Sequence, residues 1–319
     1  MRAVLVGAHG GPGMFQLADV VEPRPGPGQV LVRVAVSGVN YLDVYQRSGA
    51  VAVPYVAGVE GVGVVVELGE AVTGIVAGQR VGWFTGGQGS FADLVVVQAD
   101  KTVLLPEDVD DVTATALMMQ GVTAHYLATD AYAVAPGEWI LVHAAAGGVG
   151  SLLTQVARLR GAHVIGTASD PVKAAAAGRA GAESVIPYDG FADAVRELTD
   201  NIGVAAVYDG VGAATFEGSL ASLRTRGSLV SFGAASGPVP PFDVTRLAGA
   251  GSIYLTRPTV VHYVATQEEL RRRTDDLFGW LRVGELFVAP PQRYALTEVA
   301  EAFSALESRR TSGKLVLLH

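Results

Sequence analysis

A short run of small residues between two apolar segments is the part of this chain best suited to bind a charged ligand. Residues 139–143 are mostly apolar, residues 144–150 read AAAGGVG, and an apolar helical pattern resumes at Ser151. This pattern is typical of a buried strand that turns tightly into a helix, and the small side chains leave backbone N–H groups uncovered. Because a helix N-terminus carries partial positive charge, the sequence predicts a phosphate-binding turn here.

The spacing of small residues in this turn is that of a dinucleotide site. The fingerprint G-x-G-x-x-G stands here as Ala145-x-Gly147-x-x-Gly150, with alanine in the first glycine position. A chance match is easy in a chain with 40 glycines, so the context decides. A helical pattern ends at Gly161 and a second apolar strand follows at once, which completes a βαβ unit. We therefore predict the floor of a dinucleotide site.

The end of the second strand indicates which dinucleotide fits. NAD sites usually place an acidic residue there, about twenty residues after the glycines, to bind the ribose hydroxyls. Here the strand ends at Ser169 without a carboxylate, and Asp170 begins the next helix. Lys173 could bind a 2′-phosphate, with Ser169 donating a hydrogen bond and Tyr188 flanking the same group; alternatively, Lys173 is a solvated helix lysine. NADPH is therefore predicted in preference to NADH.

Composition limits the class of protein. The chain has 319 residues, half of them hydrophobic, which is enough for two packed cores. The net charge of −8 argues against a nucleic-acid-binding surface. The absence of cysteine removes disulfides and thiolate metal ligands, and it fits a cytoplasmic protein. Pro54, Glu60 and three glycines interrupt the apolar stretch 51–66, so we expect strand and turn there, not a membrane span.

The pattern of strands and helices changes near residue 112. Before it, β-branched runs separated by glycine and proline predict strands at 3–6, 30–36, 63–67 and 94–97. After it, helices and strands alternate, which is typical of a doubly wound parallel sheet. Six strands are expected there, at 140–144, 163–167, 184–186, 205–208, 228–233 and 253–255. The helices between them are expected at 151–160, 171–180, 192–199 and 213–223.

The tail of the chain has no partner elements of its own. Thr266 and Glu269 predict a capping box that opens a helix, and a helix at 298–308 precedes a strand at 314–318. We expect these elements to return to the N-terminal β-rich domain. The predicted domains are 1–120 plus 258–319, and 121–257. The last two strands of the parallel sheet could leave an edge that pairs across a twofold axis, so a homodimer is expected.

Several motifs, in this order, resemble the medium-chain dehydrogenase/reductase superfamily across essentially the whole chain. The closest resemblance is to its zinc-independent quinone oxidoreductase branch, the zeta-crystallin-like enzymes. The motifs lie at residues 38–49, 58–63, 121–124, 145–150, 207–212, 231–233, 256–258 and 311–314. The resemblance implies an α/β fold in which a doubly wound, parallel six-stranded Rossmann sheet is inserted in a β-rich, GroES-like substrate domain.

The same resemblance indicates that no metal is used. Zinc-dependent members place a histidine before the glutamate of Gly58-Val59-Glu60 and add a cysteine; here Val59 stands in the histidine position and the chain lacks cysteine. The six histidines show no ligand spacing. His143 and His163 fall in predicted buried strands, so we expect both to be core residues.

A metal-free reaction needs an acceptor that delocalises the incoming charge, as quinones and conjugated alkenes do. The resemblance implies Tyr45 and Asn40 as catalytic residues. Tyr45 either contacts the substrate or donates a proton, or it only packs over the cofactor. A second tyrosine, common six positions later in this branch, is replaced by Val51, which weakens the inferred substrate preference. The implied cofactor-binding residues are Asn40, Tyr45, Thr123, Ala145, Gly147, Gly148, Val149, Gly150, Ser169, Lys173, Tyr188, Gly212, Phe232, Gly233, Ser236, Thr256 and Arg257.

Three functions remain open at this point. The first is an NADPH-dependent quinone reductase. The second is an enoyl or alkenal reductase, including a polyketide-type double-bond reductase, which would use the same scaffold; a pocket built from loops carries no pattern that separates the two. The third is an NADPH-binding structural or regulatory protein related to crystallins. The retained phosphate turn, Asn40, Tyr45 and Lys173 argue against the third.

Overall fold

The computed structural model describes residues 1–319 and contains two compact units. The first comprises Met1–Met119, Val264–Gly279 and Val288–His319, and the second comprises Gln120–Tyr263 and Trp280–Phe287. The domain boundaries inferred from the sequence stay a prediction. They differ from the compact units chiefly at residues 258–263 and 280–287, which group with the second unit.

The chain forms sixteen strands and ten α-helices, named here in chain order. The strands are β1 (Arg2–Val6), β2 (Phe15–Asp19), β3 (Gln29–Val39), β4 (Tyr55–Val56), β5 (Glu60–Leu68), β6 (Arg80–Trp83), β7 (Leu94–Gln98), β8 (Val103–Leu104), β9 (Trp139–Val142), β10 (His163–Thr167), β11 (Ser184–Ile186), β12 (Val204–Asp209), β13 (Leu223–Ser231), β14 (Tyr254–Thr256), β15 (Gln292–Ala295) and β16 (Leu315–Leu318). The helices are α1 (Tyr41–Tyr45), α2 (Asp111–Ala116), α3 (Val122–Tyr126), α4 (Gly148–Leu159), α5 (Pro171–Arg179), α6 (Phe191–Leu198), α7 (Phe216–Ala221), α8 (Arg246–Gly249), α9 (Gln267–Arg282) and α10 (Val299–Glu307). None of these helices combines the length and the apolar character that crossing a bilayer requires.

The second unit is built on a six-stranded parallel sheet. Its strand order is β11-β10-β9-β12-β13-β14, which is the 3-2-1-4-5-6 order of dinucleotide-binding domains. The strands are apolar because helices cover both faces of such a sheet, and Leu141, Ile165 and Val207 are completely buried in its core. The chain reverses its winding at β9, so the turn after β9 lies at the switch point where this fold binds ligands. The predicted fold class is confirmed.

The first unit consists of two sheets. A seven-stranded sheet has the order β15-β16-β3-β5-β6-β8, with β7 also paired to β3, and a three-stranded sheet has the order β2-β1-β4. The closing strand β16 runs antiparallel to β3, with Leu315 opposite Val39, which confirms that the tail returns to the N-terminal strands. Phe15, Phe91 and Phe303 pack together in one core of this unit.

Element boundaries agree with the sequence where a local signal marks them. Strands β10 and β11 begin and end at the predicted residues. Thr266 and Glu269 exchange the two hydrogen bonds of a capping box, as predicted. Helix α4 begins at Gly148, three residues earlier than predicted, because the glycines of the turn themselves form its first turn. The five-residue helix α1 was not predicted, since it is shorter than two periods of a helical pattern.

Candidate cofactor-binding site

The turn between β9 and α4 has the backbone geometry of a phosphate-binding turn. Ala144 has φ +50°, a left-handed conformation that costs a non-glycine residue about 1–2 kcal/mol. Its carbonyl accepts a hydrogen bond from the Gly147 N–H at 2.8 Å. A Cβ atom at Gly150 would lie 2.2 Å from the same carbonyl oxygen, so only glycine fits at position 150 of α4. The strained residue is therefore Ala144, which directly precedes Ala145, the alanine in the first glycine position of the fingerprint.

Two hydroxyl groups hold Ala144 in this conformation. Its N–H donates to Thr167 Oγ1 at 3.1 Å and to Tyr188 OH at 3.0 Å. Thr167 is the completely buried last residue of β10, and Tyr188 follows β11. Because one acceptor is the last residue of β10 and the other follows β11, the parallel sheet fixes the start of the turn. Tyr188, predicted to flank a 2′-phosphate, thus lies directly at the phosphate turn.

Ser169, Asp170 and Lys173 form a polar cluster at the end of β10. Asp170 caps α5 as predicted, since its carboxylate accepts from the Lys173 N–H at 2.9 Å. This backbone hydrogen bond is the main cause that lowers the pKa of Asp170 below its usual value. The Lys173 ammonium donates to Ser169 Oγ at 3.0 Å and lies 3.5 Å from the Asp170 carboxylate. An ammonium and a hydroxyl side by side suit a phosphate monoester.

A second group of predicted residues surrounds the loop after β12. The Asp209 carboxylate accepts from the N–H groups of Val211 at 2.8 Å and Gly212 at 2.9 Å. Gly212 has φ +92°, which a side chain would disfavour. Ser236 Oγ donates to the Val211 carbonyl at 2.7 Å and accepts from the Ala214 N–H at 3.0 Å. These bonds join the loops that follow β12 and β13.

Arg257 completes this group from the end of β14. Its guanidinium donates to the carbonyl of Ser231 at 2.8 Å and to that of Gly233 at 3.0 Å. A Cβ at Gly233 would lie 2.4 Å from the Gly210 carbonyl oxygen, and a Cβ at Gly210 would meet the Phe232 ring at 2.8 Å. The two loops therefore approach each other at backbone distance, which glycine permits.

The structure thus brings most of the predicted residues of the second unit into two groups, one at the phosphate turn and the end of β10, and one at the loops after β12 and β13. Thr123 is buried within α3, and Thr256 is the last residue of β14. Asn40 and Tyr45 belong to the first unit, at the two ends of α1. The assignment of these side chains to the cofactor stays a prediction.

Asn40 is part of a buried polar network in the first unit. Its Nδ2 donates to Glu60 Oε2 at 2.8 Å, and its Oδ1 accepts from the Lys314 ammonium at 2.9 Å. Lys314 and Glu60 form an ion pair at 2.5 Å in which both side chains are almost completely buried. Glu60 Oε1 accepts from the Met119 N–H at 2.6 Å, and the Asn40 N–H donates to Asp43 Oδ2 at 3.0 Å. The amide of Asn40 is therefore fixed in one orientation.

Asp43 is the member of this network whose carboxyl group is incompletely hydrogen-bonded. Its Oδ1 is buried without a hydrogen-bond partner. Burial raises the pKa of the Asp43 carboxyl to about 7, against the stabilising hydrogen bond from the Asn40 backbone and the charge of Lys314. The Asp43 carboxyl consequently takes up a proton close to neutral pH.

The partners in these networks were not predicted from the sequence. Glu60 and Lys314 are 254 positions apart; Glu60 stands in an apolar stretch, and Lys314 directly precedes the apolar strand β16. A charged residue inside an apolar stretch is the available signal, because burial of a charge requires an opposite charge or several hydrogen bonds. Asp209 had been noted only as part of a family motif. Nothing in its local sequence indicates that it accepts hydrogen bonds from two loops.

The histidines divide into one confirmed and one wrong prediction. His143 is completely buried, as expected for a core residue. His163 was also expected in the core, but 43% of its side chain is exposed and Nδ1 lies 2.8 Å from Glu183. The reason is its position as the first residue of β10, at the rim of the sheet. No group of three or more His, Asp or Glu side chains is arranged to hold a metal ion.

Comparisons with known proteins place both units in one superfamily. A family model described as zinc-binding dehydrogenase matches residues 148–277, and one described as alcohol dehydrogenase GroES-like domain matches residues 26–107. A quinone oxidoreductase of Pseudomonas aeruginosa is 42% identical, over 99% of both chains. A 2-haloacrylate reductase of a Burkholderia species is 38% identical, over 100% of this chain and 99% of its own. The crystal structure of Escherichia coli quinone oxidoreductase complexed with NADPH is 36% identical, covers both chains completely and has a TM-score of 0.97.

Fold and site define a medium-chain dehydrogenase/reductase. Within that superfamily, the chain belongs to the quinone oxidoreductase family, because full-length relatives of that name share 37–42% of its residues. The resemblance drawn from the sequence motifs is therefore confirmed.

The buried His143 predicts a pH dependence of stability. Burial lowers the pKa of His143 to about 4, and the charge of Asp209 opposes this only in part. The unfolded chain, with a histidine pKa near 6.5, takes up this proton first, so the free energy of unfolding falls as the pH drops from about 6.5 towards 4. Between pH 7 and pH 5 we expect a loss of about 2 kcal/mol from this group.

The measurement is urea unfolding of the wild type and of His143→Gln at both pH values. The wild type should lose about 2 kcal/mol more than the variant on going to pH 5. His319, whose pKa burial also lowers, is common to both proteins and cancels. Equal losses, or an NMR titration showing His143 protonated at pH 6, would contradict the prediction.

Proposed function

We propose that this protein is an NADPH-dependent quinone oxidoreductase that works without a metal ion. The observation that carries the proposal is the preformed turn at residues 144–150, together with the Ser169–Lys173 pair at the end of the next strand. Membership of the quinone oxidoreductase family supports it. When bound, NADPH supplies the hydride that reduces the acceptor. The chain's own residues bind, orient and shield the reacting groups.

Phosphate binding is the task of the second unit. The N–H groups at the start of α4 bind the pyrophosphate, since Gly147, Gly148 and Gly150 carry no side chains of their own and the helix dipole favours an anion there. Lys173 and Ser169 bind the 2′-phosphate, and the lack of a strand-end carboxylate leaves room for it. Tyr188 supports the same region through Ala144. Thr123 contacts the nicotinamide of the cofactor. The residues that line the rest of its length are Gly212, Phe232, Gly233, Ser236, Thr256 and Arg257.

Asn40 and Tyr45 act at the nicotinamide and the acceptor. The network around Asn40 supports a role in which the amide cannot rotate. Glu60 accepts a hydrogen bond from the Asn40 NH2 group, and Lys314 donates one to the Asn40 side-chain oxygen. Tyr45 is the polar group closest to the acceptor in this proposal. A phenol is a better proton donor than base at neutral pH, so Tyr45 donates a hydrogen bond or a proton to the reduced oxygen.

A second candidate function is reduction of a conjugated carbon–carbon double bond. The 38% identity to a 2-haloacrylate reductase favours it, since that relative's name specifies an unsaturated acid as its substrate. Val51, an apolar residue where related quinone reductases often carry tyrosine, is compatible with either acceptor. A binding protein without turnover is the third outcome of the same experiment.

The first test is turnover of NADPH by the purified protein. We expect oxidation with 1,4-benzoquinone and 9,10-phenanthrenequinone at rates well above those with 2-haloacrylate or a 2-enoyl thioester. The activity should be unchanged by a chelator such as EDTA. Faster reduction of the unsaturated acids would favour the second candidate, and no oxidation with any acceptor would favour a binding protein.

Lys173→Ala tests the 2′-phosphate assignment. Because the ammonium would make a charge-assisted bond to that phosphate, we expect the KM for NADPH to rise about tenfold or more and that for NADH less than about twofold. Arg179→Ala, which removes a cation from the other end of α5, is the matched control and should leave both constants unchanged. Equal effects of Lys173→Ala on the two cofactors would contradict the assignment.

A homodimer is the proposed assembly. Strand β14 pairs with β13 on one side only, and 66% of Tyr254 and 38% of Leu255 are exposed at this edge of the sheet. An edge strand of this kind can pair with its copy across a twofold axis. Light scattering should give twice the 32.9 kDa mass of one chain, and a monomeric mass would contradict the proposal. A cytoplasmic location also stays a prediction.

A further inference from the structure

A continuous chain of buried hydrogen bonds connects Asp209 with the phosphate turn. Ser219 Oγ donates to Asp209 Oδ2 at 2.8 Å, and His143 Nε2 lies 3.0 Å from the same Ser219 oxygen. On the other side of the ring, His143 Nδ1 lies 3.0 Å from Thr167 Oγ1. Thr167 Oγ1 in turn accepts from the Ala144 N–H at 3.1 Å. Every side chain in this series is completely buried or nearly so.

The direction of each hydrogen bond follows from the carboxylate at one end. A carboxylate only accepts hydrogen bonds, so Ser219 donates its single hydroxyl hydrogen to Asp209. Ser219 must then accept from His143, which therefore carries its proton on Nε2. Nδ1 of His143 is consequently an acceptor, and the Thr167 hydroxyl donates to it. The Thr167 oxygen is left to accept from Ala144, and all the hydrogens point towards Asp209.

The same carboxylate holds the second loop of the site. Its Oδ1 accepts from the N–H groups of Val211 and Gly212, at 2.8 and 2.9 Å. Thr215 Oγ1 donates to both carboxylate oxygens, at 2.9 and 2.8 Å. Asp209 is therefore bonded directly to the Val211–Gly212 turn and, through the series, to the phosphate turn.

We propose that Asp209 is a positioning residue for the dinucleotide site, acting on the Val211–Gly212 turn directly and on Ala144 through Ser219, His143 and Thr167. The inference rests on the proposed function, since it assumes that these two loops bind NADPH. Hydrogen bonds that point in one direction polarise one another in a low-dielectric interior, so the Thr167 oxygen becomes a stronger acceptor. This acceptor offsets the strain of the left-handed Ala144, whose carbonyl defines the space beneath Gly150.

Ser219→Ala separates the two arms of this arrangement. It breaks the link between Asp209 and His143, and so disconnects Ala144 from the carboxylate, but it leaves the bonds of Asp209 to Val211, Gly212 and Thr215. We expect the calorimetric Kd for NADPH and for ADP-ribose, which contains the pyrophosphate, to rise about fivefold or more. Ser222→Ala is the matched control, because Ser222 is equally buried and donates only to the Gly218 carbonyl of its own helix. It should leave both constants within about twofold.

Asp209→Asn gives a spectroscopic test that a merely structural role would not pass. The Asn oxygen should stay with the Val211 and Gly212 N–H groups, which turns its NH2 towards Ser219 and reverses the series. In protein labelled with ¹⁵N-histidine, His143 should carry its proton on Nε2 in the wild type and on Nδ1 in the variant. The Kd for NADPH should rise in parallel.

Two results would overturn the inference: a wild-type His143 protonated on Nδ1, or Ser219→Ala binding NADPH and ADP-ribose as tightly as Ser222→Ala does. Failure of the proposed function would be distinguishable. In that case the wild type itself would bind neither NADPH nor ADP-ribose, and the positioning role would fall with it.

Discussion

The backbone conformation of Ala144 is the constraint on which the site in the second unit depends. A left-handed alanine at the end of β9 directs its carbonyl beneath Gly150 and opens the N-terminus of α4. The conformation costs about 1–2 kcal/mol, and two hydroxyl acceptors, Thr167 at the end of β10 and Tyr188 after β11, hold its N–H. The sheet order brings β10 next to β9, so the fold itself supplies Thr167 at the required place.

Both units use a buried carboxylate to fix the orientation of neighbouring polar groups. Each contains a fully buried carboxylate, Asp209 in the second unit and Glu60 in the first, that accepts from several donors and fixes groups near a predicted ligand site. A buried ion pair such as Lys314–Glu60 contributes little net stability, because desolvation offsets most of the attraction between the charges. What such an arrangement provides is a single orientation for the neutral groups it touches, here the amide of Asn40 and the turn at Gly212.

Local patterns predicted most of the fold and the phosphate turn. These features depend on residues close together in the sequence: the glycine spacing, the cap at Asp170 and the alternation of strands and helices. The structure agrees with all three. The groups that support the site could not be predicted, since Ser219 and His143 are 76 positions apart and Glu60 and Lys314 are 254 apart. The predicted burial of His163 was wrong because a strand pattern does not indicate which residue at the end of a strand is exposed to solvent. The residues at the acceptor stay predictions, because loops carry no periodic pattern.

In the proposed function, the turn at residues 144–150 and the Ser169–Lys173 pair together bind a phosphorylated dinucleotide. The most direct measurement is calorimetric titration of the wild-type protein, freed of nucleotide, with NADPH and with NADH under identical salt conditions. We expect one NADPH bound per chain, with an affinity about tenfold or more above that for NADH. Equal affinities, or no heat of binding with either nucleotide, would contradict it.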